Sequence, residues 1–253
     1  MNAAIITGGN RGIGLAITKK LKQLGYYTIV VHKDPDRKIV SNLADLEIVT
    51  DLSELKNISP IYDQMLEDLS ADNLTLDLLV NNAGVASAKK FVDLTVDDFS
   101  SMMSVNLGAV FQMSRFFVEH CKKGSNKDIQ SRIINISSVS GLQGFSGMAH
   151  YCASKFALNG MSQVMAKELS KLGIAVNTIS PGPTKSSMWD QLDKEYKANG
   201  FMPEEANEDD YTKKLLIRRM GEPEDVAEAV EYLVKSSYTT GANILVCGGN
   251  ILR

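Results

Sequence analysis

In the segment Tyr151-Cys152-Ala153-Ser154-Lys155, helical spacing stacks Tyr151 and Lys155 one turn apart on one face and sets a phenol beside an ammonium. An isolated tyrosine titrates near ~10 and is a poor proton donor at neutral pH. At about 4 Å and an effective dielectric of about 20, a fixed charge is worth about 4 kcal/mol, enough to lower the phenol by about three pKa units. The pair is therefore expected to serve as an acid/base near neutral pH. Surface helices also produce Tyr-x-x-x-Lys by chance, so its meaning depends on the residues around it.

The start of the chain supplies a second chemical signal. Asn2 to Thr7 reads as a short buried strand, Gly8-Gly9-Asn10-Arg11-Gly12-Ile13-Gly14 as a turn, and Leu15, Ile17, Leu21 and Leu24 as the apolar face of a helix. A dinucleotide needs that order. Gly8 permits the tight turn, Gly12 lets backbone N–H groups approach a pyrophosphate, and Gly14 lets the helix pack on the strand with its N-terminus aimed at the phosphates. The spacing is Thr-Gly-x-x-x-Gly-x-Gly, and a glycine turn of this kind also occurs without any ligand.

The elements that must position these residues follow from patterning. Strands are expected near 3–7, 27–32, 47–50, 77–81, 131–137, 174–179 and 243–247, alternating with helices, which favours a parallel sheet covered on both faces. The 253 residues suit one large α/β domain, and a net charge of −3 without a basic stripe argues against nucleic acid and anionic membrane as partners. A strand that begins at residue 2 leaves no room for a signal peptide, and no apolar run reaches the ~18 residues of a membrane span, so a cytoplasmic location is expected. Cys121, Cys152 and Cys247 are scattered and odd in number, and read as reduced packing thiols without metal or disulfide spacing. Two stretches break the pattern. Ser125 to Gln130 reads as a polar loop insertion, and Lys185 to Tyr211 is mixed and acidic, its run Glu204 to Asp210 reading as a solvated face.

With these landmarks the chain resembles the short-chain dehydrogenase/reductase family over nearly its whole length. Thr7 to Gly14 is followed in family order by Asp51, Asn81-Asn82-Ala83-Gly84, Ser104-Val105-Asn106-Leu107, Ile136-Ser137-Ser138, Tyr151/Lys155, Pro181-Gly182 and Arg219-Met-Gly-Glu-Pro-Glu-Asp-Val-Ala227. The resemblance implies a single Rossmann-type, doubly wound α/β domain spanning 1–253, with a seven-stranded parallel sheet in the order 3-2-1-4-5-6-7. Ligands would lie beyond the carboxyl ends of the strands, beneath a substrate lid at about 185–215.

Roles carry over residue by residue. The resemblance makes Ser138 the group that holds the substrate oxygen, Tyr151 the proton donor or acceptor, and Lys155 the cation that lowers the tyrosine pKa and holds the nicotinamide ribose. The Asn106 region would support a proton-relay water. Gly8, Asn10, Arg11, Gly12, Ile13 and Gly14 would cradle the pyrophosphate, Asp51 and Leu52 the adenine, and Asn82, Ala83 and Gly84 the adenosine side. Pro181, Gly182, Pro183, Thr184 and Ser186 would meet the carboxamide. Substrate would sit among Ala86, Ser87, Ser138, Gln143, Phe145, Met148, Met188 and Trp189, a mostly apolar set suited to an acyl chain or a modest alicyclic or aromatic ketone. His150 points about 100° away from Tyr151 on a helix and reads as structural, as does Ser137 at a strand end.

At the end of the second strand, where an NAD enzyme of this kind carries an acidic residue, the chain has His32, followed by Lys33. Lys33 and the nearby Arg11 would place two cations at the adenosine ribose, which points to NADP(H). If Asp34 holds a ribose hydroxyl instead, the cofactor is NAD(H). The 3-oxoacyl-acyl-carrier-protein reductase group is the nearest resemblance. It implies NADPH-dependent reduction of a small-molecule carbonyl, free or borne on a carrier protein, with no metal. Where that group grips its carrier with arginines, this chain offers Lys122, Lys123, Lys127 and Lys171. The alternatives are an NAD-dependent alcohol, steroid or polyol dehydrogenase and a silent dinucleotide sensor. Val110, Phe111, Met113, Phe116 and Phe117, with Phe156, Leu158, Met161, Val164, Met165 and Leu169, exceed what one sheet-facing stripe needs, so a homodimer or homotetramer is expected.

Overall fold

The structure is a computed structural model describing residues 1–34, 43–125 and 127–252. Its strands are β1 (Asn2–Thr7), β2 (Tyr27–His32), β3 (Leu46–Val49), β4 (Thr75–Asn81), β5 (Ser131–Ile136), β6 (Ile174–Pro181) and β7 (Asn243–Val246). The helices are α1 (Gly12–Gln23), α2 (Ile58–Ala71), α3 (Val96–Met103), α4 (Ala109–His120), α5 (Ala149–Leu169), α6 (Ser187–Ala198), α7 (Glu208–Thr212) and α8 (Pro223–Lys235). Every strand expected from sequence is present. The ends move by a residue or two because ladder pairing with a neighbour, rather than side-chain alternation, sets where a strand stops; β6 runs on to Pro181, which pairs with Val246. The connection between β2 and β3 lies largely outside the described residues.

All seven strands are parallel, in the order β3-β2-β1-β4-β5-β6-β7. Alternation along β1 explains the two-sided core. Ala3 and Ile5 belong to the layer packed by α2, α4 and α5 through Tyr62, Met65, Met113, Phe117 and Ala166. Ala4 and Ile6 face the layer packed by α1 and α8 through Ile17, Leu21, Val226 and Val230. Because β1 pairs with β2 on one side and β4 on the other, successive connections leave it in opposite directions. A crevice opens there, between the carboxyl ends of β1 and β4.

The apolar excess on α4 and α5 is smaller than its sequence suggests. Val110, Met113, Phe117 and Leu158 are buried within the chain, while Phe116, Met165 and Leu169 pack against the core. Phe111, Phe156 and Val164 remain 52%, 47% and 53% exposed. In the loop before β5, Ser125 and Asp128 exchange backbone hydrogen bonds, and Gly124 and Gln130 tie the loop to Leu172 and Gly173.

Candidate active site

The carboxyl ends of β1 and β4 are locked together by side chains that imitate backbone. Thr7 Oγ1 accepts from Asn82 N at 3.0 Å and from Ala83 N at 2.9 Å, and Asn82 Nδ2 donates to the Thr7 and Gly8 carbonyls at 3.0 and 3.1 Å. The glycine turn then crosses this junction so closely that a Cβ on Gly14 would lie 2.0 Å from the Gly8 oxygen. Gly8 and Gly12 have φ of +64° and +49°, a region costly for other residues. A Cβ on Gly12 would meet only Ser186, so that side of the loop is open. At the start of α1, Arg11 supplies no side-chain cap, and no acidic residue stands in the first turn. Uncapped N–H donors over an open glycine face are a cradle for a pyrophosphate, and the residues present fit a dinucleotide.

At the far end of the same crevice, the His32 ring is committed within the protein. His32 Nε2 lies 2.6 Å from Glu47 Oε1, and Nδ1 accepts from Asp34 N at 3.2 Å. The ring is thus buried and engaged at both nitrogens, and the two cations expected at the ribose, Lys33 and Arg11, line the cavity beside it. Lys33 is exposed, and the Asp51 carboxyl is held below its ordinary value chiefly by the hydrogen bond from Ser53 N at 2.8 Å, then by the Ser53 side chain, with Lys33 adding the smallest pull.

Ser138, Tyr151 and Lys155 come together on the opposite wall. Ser138 lies just past the end of β5, and its hydroxyl hydrogen-bonds the Tyr151 phenol. Lys155 Nζ lies 5.8 Å from the Tyr151 ring centre and donates to the Ile136 carbonyl at 2.9 Å. Burial governs both titrations: it pushes the Tyr151 phenol up to about 12, against the pull of Ser138, and the Lys155 ammonium down to about 8. This corrects the expected lowering of the tyrosine. In the chain alone, loss of hydration outweighs the attraction of a lysine whose own charge is disfavoured by the same burial.

Asn106 stands one layer behind, at 0% exposure, in a π-helical turn (Ser104–Gly108) between α3 and α4. Its amide is committed to both backbone groups of Val85 and to Ser154 Oγ rather than turned toward Lys155. The widened turn re-aims this side chain from the helix toward the loop after β4, a common use of π-bulges at functional sites.

One cavity of about 810 Å³ joins these walls. Every residue expected at the cofactor lines it: Gly8 to Gly14 except Gly9, together with His32, Lys33, Asp51, Leu52, Asn82, Ala83, Gly84, Pro181, Gly182, Pro183, Thr184 and Ser186. Of the residues expected at the substrate, Ser138, Phe145, Met148, Met188 and Trp189 line it. Three do not. Gln143 is exposed beyond the turn Val139–Gly141, Ala86 is buried among packing residues, and Ser87 Oγ is bonded to His150 Nε2 at 2.7 Å. That bond agrees with the structural reading of His150, whose pKa is lowered chiefly by burial.

Residues missed from sequence are Leu192, Tyr196, Phe201, Met202, Tyr211, Lys214 and Leu215, which close the cavity's outer end. Met188, Leu192 and Tyr196 recur every fourth residue along α6, a signal that was available in the sequence. Among the described residues no cluster of three or more His, Cys, Asp or Glu could hold a metal, and all three cysteines are free thiols. No helix among them is long and apolar enough to cross a membrane.

Comparison with known proteins agrees with this geometry. A family model described as short chain dehydrogenase matches residues 2–197. A 3-oxoacyl-acyl-carrier-protein reductase of Rickettsia bellii is 35% identical over 252 residues, covering 98% of this chain and 96% of the relative. Among solved structures, a variant of actinorhodin polyketide ketoreductase with NADPH superposes at a TM-score of 0.89, with 27% identity and coverage of 98% and 97%. A 4-hydroxyisoleucine dehydrogenase with NADH superposes at 0.81, with 29% identity and coverage of 99% and 98%.

Proposed function

The chain belongs to the short-chain dehydrogenase family, and from that membership we propose that it catalyses the NADPH-dependent reduction of a ketone, free or as a 3-oxoacyl thioester, to a secondary alcohol. The observation that carries the reading is the meeting of Ser138, Tyr151 and Lys155 on one wall of a cavity whose other arm is the uncapped start of α1. When bound, the dinucleotide supplies the hydride. Ser138 holds the substrate oxygen by its hydroxyl and favours the charge that develops there. Tyr151, protonated because it is buried, delivers its proton to that oxygen. Lys155 favours the phenolate left behind and holds the nicotinamide ribose. Asn106 keeps Val85, and with it Gly84, in place beneath Lys155.

Arg11 and Lys33 are the proposed partners of a 2′-phosphate, since both line the cavity and no acidic residue stands at His32. A second reading, NAD(H)-dependent oxidation of a small alcohol, is favoured by Asp34, which lines the same end. Residues 185–215, with α6 and α7, act as the substrate lid of a single cytoplasmic Rossmann domain that assembles as a homodimer or homotetramer. Initial rates with NADPH and NADH against ketones and 3-oxoacyl thioesters test the reading. NADPH should be preferred, and Lys33→Asp should reverse the preference. A wild type faster with NADH would overturn the cofactor assignment.

A further inference from the structure

Three tyrosines line the cavity, and their hydroxyls differ in what they hold. Tyr211 donates to Asp193 Oδ1 at 2.6 Å, and Tyr151 is bonded to Ser138. The Tyr196 hydroxyl has no hydrogen-bond partner among the described residues.

The position of Tyr196 is fixed from two sides. Its ring meets Phe201 edge-on, with centres 5.7 Å apart and planes at 75°. One residue earlier, Glu195 Oε2 accepts from Ala88 N at 2.7 Å, and one turn later Asn199 Nδ2 donates to Ala88 O at 3.2 Å. Both backbone groups of Ala88 are thus held by α6, which pins the helix to the loop after β4. Tyr196 packs against the buried cluster that contains Met148, Tyr151 and Cys152, so the two phenols share one chamber. Burial pushes Tyr196 up to about 12, with Cys152 and Tyr151 adding to the effect, and the hydroxyl stays a neutral donor in the working range. A phenol set among Met188, Leu192 and Phe201, open to the cavity and without a protein partner, can donate to a ligand oxygen that takes the place of water there.

We infer that Tyr196 is a specificity-determining residue whose phenol donates a hydrogen bond to a second oxygen of the substrate, so that the preferred substrates carry an acceptor oxygen besides the carbonyl that reacts. The inference rests on the carbonyl-reductase reading. A plain ketone would leave the donor unpaired, the situation in which a site built to hydrogen-bond rejects the analogue that lacks the group.

The test compares wild type with Tyr196→Phe, which keeps the ring and its contact with Phe201. Two matched pairs of substrates are used: ethyl acetoacetate with methyl pentyl ketone, and diacetyl with butanone. The wild type should favour the dioxygenated member of at least one pair. In the variant kcat/KM for that member should fall about tenfold, while its plain partner changes less than about twofold. Loss confined to ethyl acetoacetate places the second oxygen two carbons away, and loss confined to diacetyl places it on the neighbouring carbon. Equal loss on both members of each pair, or no loss, overturns the role of Tyr196 while leaving the reductase reading intact. A wild type that reduces none of the four defeats the reading and the inference with it.

Discussion

Asn106 grips both backbone groups of Val85: Oδ1 accepts from the Val85 N–H and Nδ2 donates to the Val85 carbonyl, each at 2.9 Å. The amide replaces a strand that the loop after β4 lacks. It also fixes the neighbour Gly84, where an added Cβ would lie 3.2 Å from Asn106 Oδ1 and 3.8 Å from Lys155 Nζ.

Asn106→Ala should therefore act on stability and catalysis together. Two buried backbone groups lose their partner, at about 1–3 kcal/mol each, so a fall of several degrees in Tm is expected. Turnover should drop as Gly84 and Lys155 lose their mutual register. Thermal melts and steady-state rates check this, and a variant as stable as wild type would remove Asn106 from its positioning role.

The pH dependence of reduction should report Lys155. Burial lowers the ammonium from 10.5 to about 8, and Tyr151, pushed up to about 12, keeps its proton well beyond that point. As pH rises through about 8, Lys155 loses the charge that favours a departing proton on Tyr151, so kcat/KM for reduction should be level below and fall above. Lys155→Arg keeps a charge and should abolish the falling limb even where its rate is lower. Tyr151→Phe should reduce turnover at least ~10²-fold at every pH. A limb that persists unchanged in Lys155→Arg would assign it to another group.

How much of this was legible in the sequence differs between the two ends of the cavity. The cradle was legible because Gly8, Gly12 and Gly14 are constrained by backbone conformation and close approach, and such constraints leave a fixed spacing in the chain. Ser138, Tyr151 and Lys155 were legible for a similar reason, since a strand end and one helix turn fix their offsets. The titration of Tyr151 was not, because it depends on burial, which no spacing encodes. Nor was the engagement of His32 by Glu47, a pairing across β2 and β3 that only the register of the sheet brings about. Gln143 was placed at the substrate by the resemblance alone, but beyond the turn at Val139–Gly141 it is exposed.

Asp77 should give the protein a pH-dependent stability away from the site. It is 5% exposed on β4, its Oδ1 has no hydrogen-bond partner, and burial raises its carboxyl from 3.8 to about 7 despite Arg132 and Lys122. The folded state thus holds a proton that the unfolded state releases between those values, so unfolding free energy should decline as pH rises from 3.8 to about 7 and level off above. Asp77→Asn removes this arm. Its urea midpoint relative to wild type should shift in the variant's favour across that window, and a difference independent of pH would disprove the assignment.

Assembly supplies the last prediction. Phe111 on α4 and Phe156 and Val164 on α5 are about half exposed, at 52%, 47% and 53%. These three are the exposed part of the apolar excess, the core having taken Val110, Met113, Phe117 and Leu158. An isologous contact along α4 and α5 would cover them twice over, once from each subunit. It would also brace α5, the helix that carries Tyr151 and Lys155. Phe156→Glu places a charge on this face without entering the core, whereas Met165 packs against the core and would confound the result. In light scattering the wild type should be a dimer or tetramer of the 27.6 kDa chain, and Phe156→Glu should lower both mass and activity. A wild type that is monomeric and fully active would show that the exposed face serves no assembly.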